Sequence, residues 1–276
     1  MFNEFIMQID DLAFMALYKK SKALQGSIDE QELKDIQMAQ MVQKDGKRAL
    51  INVDGAIVYG ASMLDKLFFG AVDTRDIMKA VADVASDKKI TDIVFAINSP
   101  GGTAKKMNVV ADMVYALSQQ KNVASVNTGI MASAAYYFGS QAGAVFVDDE
   151  YNHTGSIGTK AILYDDSEMF KNAGIKVIPV ATGEFKAMLE QGVEITEDHI
   201  GIIQEMVNEM QEGFNQAVSR TRSQSDMADG SEARNGLSYS YNKAQELGLV
   251  DGVKSVEQAF NFLGQRSRLS QLRKSI

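Results

Sequence analysis

Short apolar runs alternate along the middle of the chain with stretches whose apolar positions recur every three or four residues, which predicts strands and helices taken in turn. The first strong strand is expected at 49–53, with a second run at 56–59 across Asp54 and Gly55. A helix follows over 74–86, then a strand at 92–97, a helix at 105–120, a strand at 123–127, a helix from Ser133 and a strand at 144–147. Beyond a helical segment at 166–172, the run 175–180 is expected to add one more strand.

Strand and helix in strict alternation imply stacked βαβ units, and strands with almost no polar interruption imply a sheet covered on both faces. The fold class is therefore α/β. From 196 to 222, Ile200, Ile203, Met206, Val207, Met210 and Phe214 recur on one helical face, the pattern of an amphipathic packing helix. Residues 223–236 are rich in Ser, Asp, Arg and Gly and read as a loop before the last helices. Three regions follow: a helical N-terminal extension over 1–48, a main domain over 49–264, and a basic tail over 265–276.

With 276 residues, 45% of them hydrophobic, the chain can bury one large core. Its 36 acidic and 28 basic side chains give a net charge of -8, so no general affinity for nucleic acid is expected. The absence of cysteine excludes disulfides, a thiol nucleophile and thiolate metal sites. His153 and His199 are the two imidazoles, and neither has a second His at ligand spacing, so no metal and no cofactor are expected. The first twenty residues carry Glu4, Asp10 and Asp11 where an export signal needs a basic start and an unbroken apolar core. Residues 122–147 are uncharged but hold Asn122, Asn127, Gln141 and several serines, which fits a buried core better than a bilayer span. The expectation is a cytoplasmic protein without a membrane anchor.

Two segments carry candidate chemistry. Asn98-Ser99-Pro100-Gly101-Gly102 falls where a strand ends and a helix is about to begin. Two glycines let a ligand approach the backbone, and free amides at such a turn can hold an oxyanion. Glycine also serves tight turns for steric reasons alone, so this motif leaves both readings open. In Thr128-Gly129-Ile130-Met131-Ala132-Ser133-Ala134-Ala135-Tyr136-Tyr137, Ser133 stands among small residues at a strand-to-helix transition. It is either an N-cap or a nucleophile, and as a nucleophile it would find oxyanion donors in the amides of Gly102 and Ala134. Gly101, Gly102 and Thr103 are then the candidates to hold substrate backbone.

In this order and spacing the two motifs resemble the ClpP/crotonase-like fold and, more narrowly, the SppA (signal peptide peptidase A) family. Gly155-Ser156-Ile157-Gly158, Thr182-Gly183-Glu184-Phe185-Lys186 and Gly248-Leu249-Val250-Asp251 extend the resemblance. It implies a serine endopeptidase in which Ser133 is the nucleophile, Lys186 the general base and Ser156 a hydroxyl that positions the lysine. Where the family often has Gly-Gly after the serine, this chain has Ala134-Ala135, still small. The resemblance also implies a homo-oligomer acting on polypeptides: phage capsid and scaffold proteins in the prohead proteases of the family, signal peptides or oligopeptides in others. A lysine can act as base only when uncharged, which requires a water-poor enclosure and a hydroxyl partner.

Three other readings stay open. A Ser-His-Asp peptidase resembling ClpP would use His153. A crotonase-like acyl-CoA enzyme would need the backbone amides but no serine, and a non-catalytic assembly protein would need neither. Lys105 and Lys106, just after the glycine turn, are alternative bases or substrate contacts.

Overall fold

The computed structural model describes residues 38–183, 185–225 and 231–274; the expected helices of the first 37 residues lie outside it. Residues 38–41 are helical, and the sheet then begins with β1 (Val42–Asp45), seven residues before the first expected strand. β1 is polar and exposed on three of its four positions, so it lacks the apolar signature of a strand. It is held by antiparallel pairing with β2 (Arg48–Asp54) across a turn in which Gly46 has φ 56°.

From β2 the chain runs through β3 (Ile57–Val58), α1 (Met63–Phe69), β4 (Val72–Asp73) and α2 (Thr74–Ser86) to β5 (Asp92–Ser99). It continues with α3 (Met107–Gln120), β6 (Asn122–Ala132), α4 (Ala134–Gly139), β7 (Val145–Val147) and β8 (His153–Gly155). The remaining elements are α5 (Ser167–Asn172), α6 (Glu197–Thr221), β9 (Ser238–Tyr239), α7 (Tyr241–Glu246), β10 (Gly252–Val253) and α8 (Val256–Lys274). The main path of the sheet is β1-β2-β5-β6-β7-β10, parallel from β2 onward, while β3 and β4 form a separate parallel pair.

The parallel strands are buried on both faces, as their composition implies. On one face Ile77, Val81, Val84, Val110, Val114 and Phe138, from α2, α3 and α4, pack on Ile51, Phe95 and Ile97. On the other, Ala259, Phe260 and Leu263 of α8 cover Val94, Val126 and Phe146. The layered βαβ architecture is the ClpP/crotonase-like one.

β6 is longer than expected because it serves two neighbours. Ser125–Asn127 pairs with β7, and Ile130–Ala132 with β8, which turns antiparallel to β9. Between these halves Asn98 bridges the irregular register of β5 and β6: its Oδ1 accepts from the Ile130 amide at 3.2 Å, and its Nδ2 donates to Asp54 Oδ1 at 2.8 Å.

Two expectations are corrected. Residues 175–180 are not a strand: among the described residues no strand pairs with them, and Ile178 and Val180 are 67% and 95% exposed. An apolar run without a partner edge has nowhere to place its backbone hydrogen bonds in a ladder. Nor does α6 pack along its whole length. Only from Gln211 onward are its residues buried, whereas Ile200, Met206 and Met210 remain 43%, 52% and 42% exposed. Residues 160–195 and the first half of α6 thus form an arm that stands off the core.

Candidate active site

The site lies at the C-terminal ends of β5 and β6, where open parallel sheets bind their ligands. β5 runs into Pro100-Gly101-Gly102 and β6 into Ser133, and the two turns touch. A Cβ built on Gly101 would stand 2.6 Å from the Ala132 carbonyl and 2.8 Å from both the Ala134 amide and Ser133 Cβ. One on Gly102 would stand 1.9 Å from the Ile57 carbonyl oxygen. Both positions have positive φ, 90° and 152°, so the sequence needs glycine here on two counts.

Hydrogen bonds fix the turn without consuming the amides that matter. The Ile57 amide donates to the Gly101 carbonyl at 2.8 Å, the Thr103 amide to the Ile57 carbonyl at 2.9 Å, and the Gly101 amide to Ser99 Oγ at 3.2 Å. Among the described residues the amides of Gly102 and Ala134 have no hydrogen-bond partner. The second lies in the first turn of α4, where a helix leaves its amides unpaired.

Ser133 has φ 52° and ψ -123°, a backbone conformation costly for any residue with a Cβ and common where a turn presents a nucleophile. Its amide donates to the Gly155 carbonyl at 2.9 Å, and its side chain makes no cap. The next residue on that neighbouring strand, Ser156, also has positive φ, 50°, and its amide donates to the Leu237 carbonyl at 2.7 Å. Ser133, Ser156, Gly101, Gly102, Thr103 and Ala134 all line one cleft of about 1420 Å³. That exceeds the space a drug-sized ligand fills and suits an extended chain.

Lys186 does not share this cleft. It is exposed in a turn of the arm, its amide donating to the Gly183 carbonyl at 3.1 Å. His153 is exposed on β8 and also outside the cleft lining. Lys105 and Lys106 are exposed, with Lys105 Nζ 4.4 Å from the centre of the Tyr59 ring rather than directed at Ser133. Among the described residues no cluster of three His, Asp or Glu side chains is placed to hold a metal, and no helix is long and apolar enough to cross a membrane.

The sequence pattern of peptidase family S49 matches residues 115–270, more than half of the chain. The chain belongs to peptidase family S49. The Clp protease pattern matches residues 70–144, in accord with the fold. Among individual relatives, the chain is 28% identical over 198 residues to MJ0651 of Methanocaldococcus jannaschii, which bears the name of a protease, covering 72% of this chain and 63% of the relative. It is 24% identical over 197 residues to an Enterococcus faecium protein named for signal peptide peptidase SppA, covering 71% and 57%. It is 26% identical over 138 residues to Head-tail preconnector protein GP5 of Enterobacteria phage P21, covering 50% and 27%. The chain thus spans less than two thirds of the length of these relatives.

Within this S49 domain, the place of two residues on the cleft wall escaped the sequence reading. Tyr137, one helical turn after Ser133, stacks on Phe214 of α6 with ring centres 4.6 Å apart, and burial pushes its hydroxyl pKa up, so it stays protonated. Gln211 lies on the cleft wall with Oε1 accepting from Thr159 Oγ1 at 3.0 Å and Nε2 donating to Asn215 Oδ1 at 2.7 Å. The i+4 spacing of Tyr137 from Ser133 was a usable signal, and so was the run of amides Gln204, Asn208, Gln211 and Asn215, which recur at helical spacing along α6.

Proposed function

We propose that this S49 chain is a serine endopeptidase in which Ser133 is acylated by substrate and Lys186 acts as the base. The observation that carries this reading is the pair of unpartnered amides, Gly102 and Ala134, that share a peptide-sized cleft with a strained serine. The Lys186 amine takes the Ser133 proton as Oγ attacks the scissile carbonyl, the two amides hold the oxyanion, and the resulting ammonium protonates the departing amine. Water then releases the acyl group by the same route. Ser156, beside Ser133, supplies a hydroxyl to hold the amine.

Lys186 enters that chemistry from a neighbouring copy. The arm that bears it exposes Ile162, Tyr164, Met169, Ile175, Ile178, Val180 and Leu189, an apolar surface that a lone chain leaves in water. Packing the arm on a second copy covers that surface and brings Lys186 to a cleft that lacks it. The homo-oligomer and the dyad are then one requirement.

The test is peptide hydrolysis by Ser133→Ala, by Lys186→Ala, and by the two inactive variants mixed under conditions that allow subunit exchange. Each alone is expected to be inactive and the mixture active, because one variant supplies the serine and the other the lysine. Activity in Lys186→Ala would remove the base assignment. Two inactive variants with an inactive mixture, despite proven exchange, would place serine and lysine in one chain.

For the substrate we propose phage capsid and scaffold proteins, supported by the similarity to a phage head-tail preconnector protein. Signal peptides are the second reading, supported by the Enterococcus relative. Incubation with a matched scaffold and capsid pair, against a synthetic signal peptide, separates the two: an active enzyme that leaves the scaffold intact counts against the first.

A further inference from the structure

We infer that His199 is a positioning residue for Lys186, acting through the ring of Phe185; this rests on the assignment of Lys186 as the base. Phe185 immediately precedes Lys186, in a turn closed by bonds from the Lys186 amide to the Gly183 carbonyl and from the Met188 amide to the Phe185 carbonyl, at 3.1 and 3.3 Å. The Phe185 ring meets the His199 imidazole edge to face, with centres 6.1 Å apart and planes at 84°. This geometry is favourable for two aromatic rings.

The imidazole is itself held. His199 sits at the third position of α6, where its amide donates to Thr196 Oγ1 at 3.3 Å and its Nδ1 accepts from the Thr196 amide at 3.2 Å. Such a reciprocal cap is ordinarily closed by Glu or Gln. A histidine closes the same cap and presents a ring as well, so one residue ties the start of α6 to the turn that carries the base.

A cavity of about 330 Å³ lies beside the contact, lined by Thr182, Gly183, Ala187, Met188 and His199. Within the arm, the place of the Lys186 backbone rests on the bonds that close its turn and on the Phe185–His199 contact. Proton transfer needs the amine within about 3 Å of the serine oxygen, and a misplacement of about 1 Å costs on the order of a hundredfold in rate. Loosening the turn should therefore lower the rate of the chemical step and leave substrate binding in the Ser133 cleft unchanged.

The experiment is steady-state peptide hydrolysis by His199→Gln, Phe185→Ala, their double variant, Phe185→Tyr and Lys186→Ala. Gln keeps the cap and removes the ring. His199→Gln and Phe185→Ala are each expected to lower kcat about tenfold with KM within about twofold, since they displace the base without touching the cleft. The double variant should be no worse than either single one, because both remove the same contact. Phe185→Tyr, which keeps the ring, should restore kcat. If His199→Gln and Phe185→Ala match the wild type while Lys186→Ala is inactive, the positioning role is overturned and the base assignment survives. Full additivity in the double variant also overturns it, and an active Lys186→Ala overturns both readings together.

Discussion

The Ser133 amide donates to the Gly155 carbonyl at 2.9 Å, and this one bond sets Ser133 beside Ser156. Both residues follow directly on paired strands, since Ala132 is in register with Gly155, and both carry positive φ, 52° and 50°. The shared distortion turns two neighbouring strand ends into one head of the cleft. Asn127 secures the pairing from below: its Nδ2 donates to the His153 carbonyl and to Thr154 Oγ1 at 2.9 and 2.8 Å.

That strain gives a prediction on stability. Ser133→Ala and Ser133→Gly should both lose hydrolysis by at least about a thousandfold, because neither has an oxygen to acylate. They should differ in folding: glycine escapes the clash of a Cβ at φ 52° and ψ -123°, so Ser133→Gly should be about 1 kcal/mol more stable than Ser133→Ala. Urea unfolding of the two inactive proteins measures the difference. Equal midpoints would mean that the backbone at Ser133 is not strained.

Gly102→Ala is expected to damage both fold and site. The added methyl meets the Ile57 carbonyl at 1.9 Å, and the obstacle is backbone that pairs with this turn and cannot swing aside. A loss of about 2 kcal/mol or more in unfolding free energy should accompany loss of activity as the Gly102 amide shifts away from the oxyanion. Wild-type stability together with wild-type kcat would show that the turn adapts and that this amide has no part in the reaction.

Much of this was legible beforehand, and the exceptions share a cause. The helix at Thr74–Ser86 falls where its apolar periodicity puts it, and Ser133 stands at the strand-to-helix junction that its small neighbours imply. Gly101 and Gly102 make the turn their sequence suggests, because positive φ and the close approach of the Ile57 and Ala132 carbonyls both call for glycine. The failures lie where partners decide. β1 exists through its pairing with β2 and not through apolar content, while residues 175–180 have the content of a strand but no edge to join. The apolar stripe of α6 was legible as a stripe, yet no pattern within one chain says whether core or neighbour covers Ile200, Met206 and Met210. Lys186 belongs to the same class, since what the arm packs against sets its place relative to the Ser133 cleft.

Leu263→Ala should weaken the fold and leave chemistry alone. Leu263, 1% exposed on α8, is packed with Val94, Val126 and Phe146 on the face of the sheet opposite α2, α3 and α4. Truncation should cost about 2 to 4 kcal/mol in chemical unfolding, through lost burial and the cavity left behind. Measured well below the melting temperature, kcat per folded molecule should stay within about twofold, since no cleft residue touches this layer. A large fall in kcat with unchanged stability would contradict the division of the core into two faces.

The last prediction concerns acid. Arg222, at the end of α6, forms a two-pronged pair with Asp251 at 2.8 Å on both arms, while its Nε donates to the Gly248 carbonyl at 3.1 Å. Asp251 Oδ2 also accepts the Val145 amide at 2.7 Å, so one carboxylate joins α6 to β7. Burial by itself would raise the Asp251 pKa, but the hydrogen bonds and charge of Arg222, with the Val145 amide, outweigh it and hold the carboxyl below its ordinary range. A carboxyl with its pKa depressed on folding adds stability that is present above the unfolded value of about 4 and disappears as pH falls through the lower folded value. Arg222 has its own pKa raised, burial opposing and Asp251 prevailing, so it stays charged throughout that range. Asp251→Asn leaves the Arg222 guanidinium without its counter-charge and, with the Asp251 side chain 40% exposed and its charge partly screened, should cost about 1 to 2 kcal/mol near neutral pH. The gap between wild type and variant in urea unfolding should then narrow as the pH is lowered from about 5 toward about 3, because the wild type alone loses the contribution of the ionised carboxylate. A gap that stays constant over that interval would mean that Asp251 keeps the same proton affinity folded and unfolded, and that the pair contributes geometry without charge.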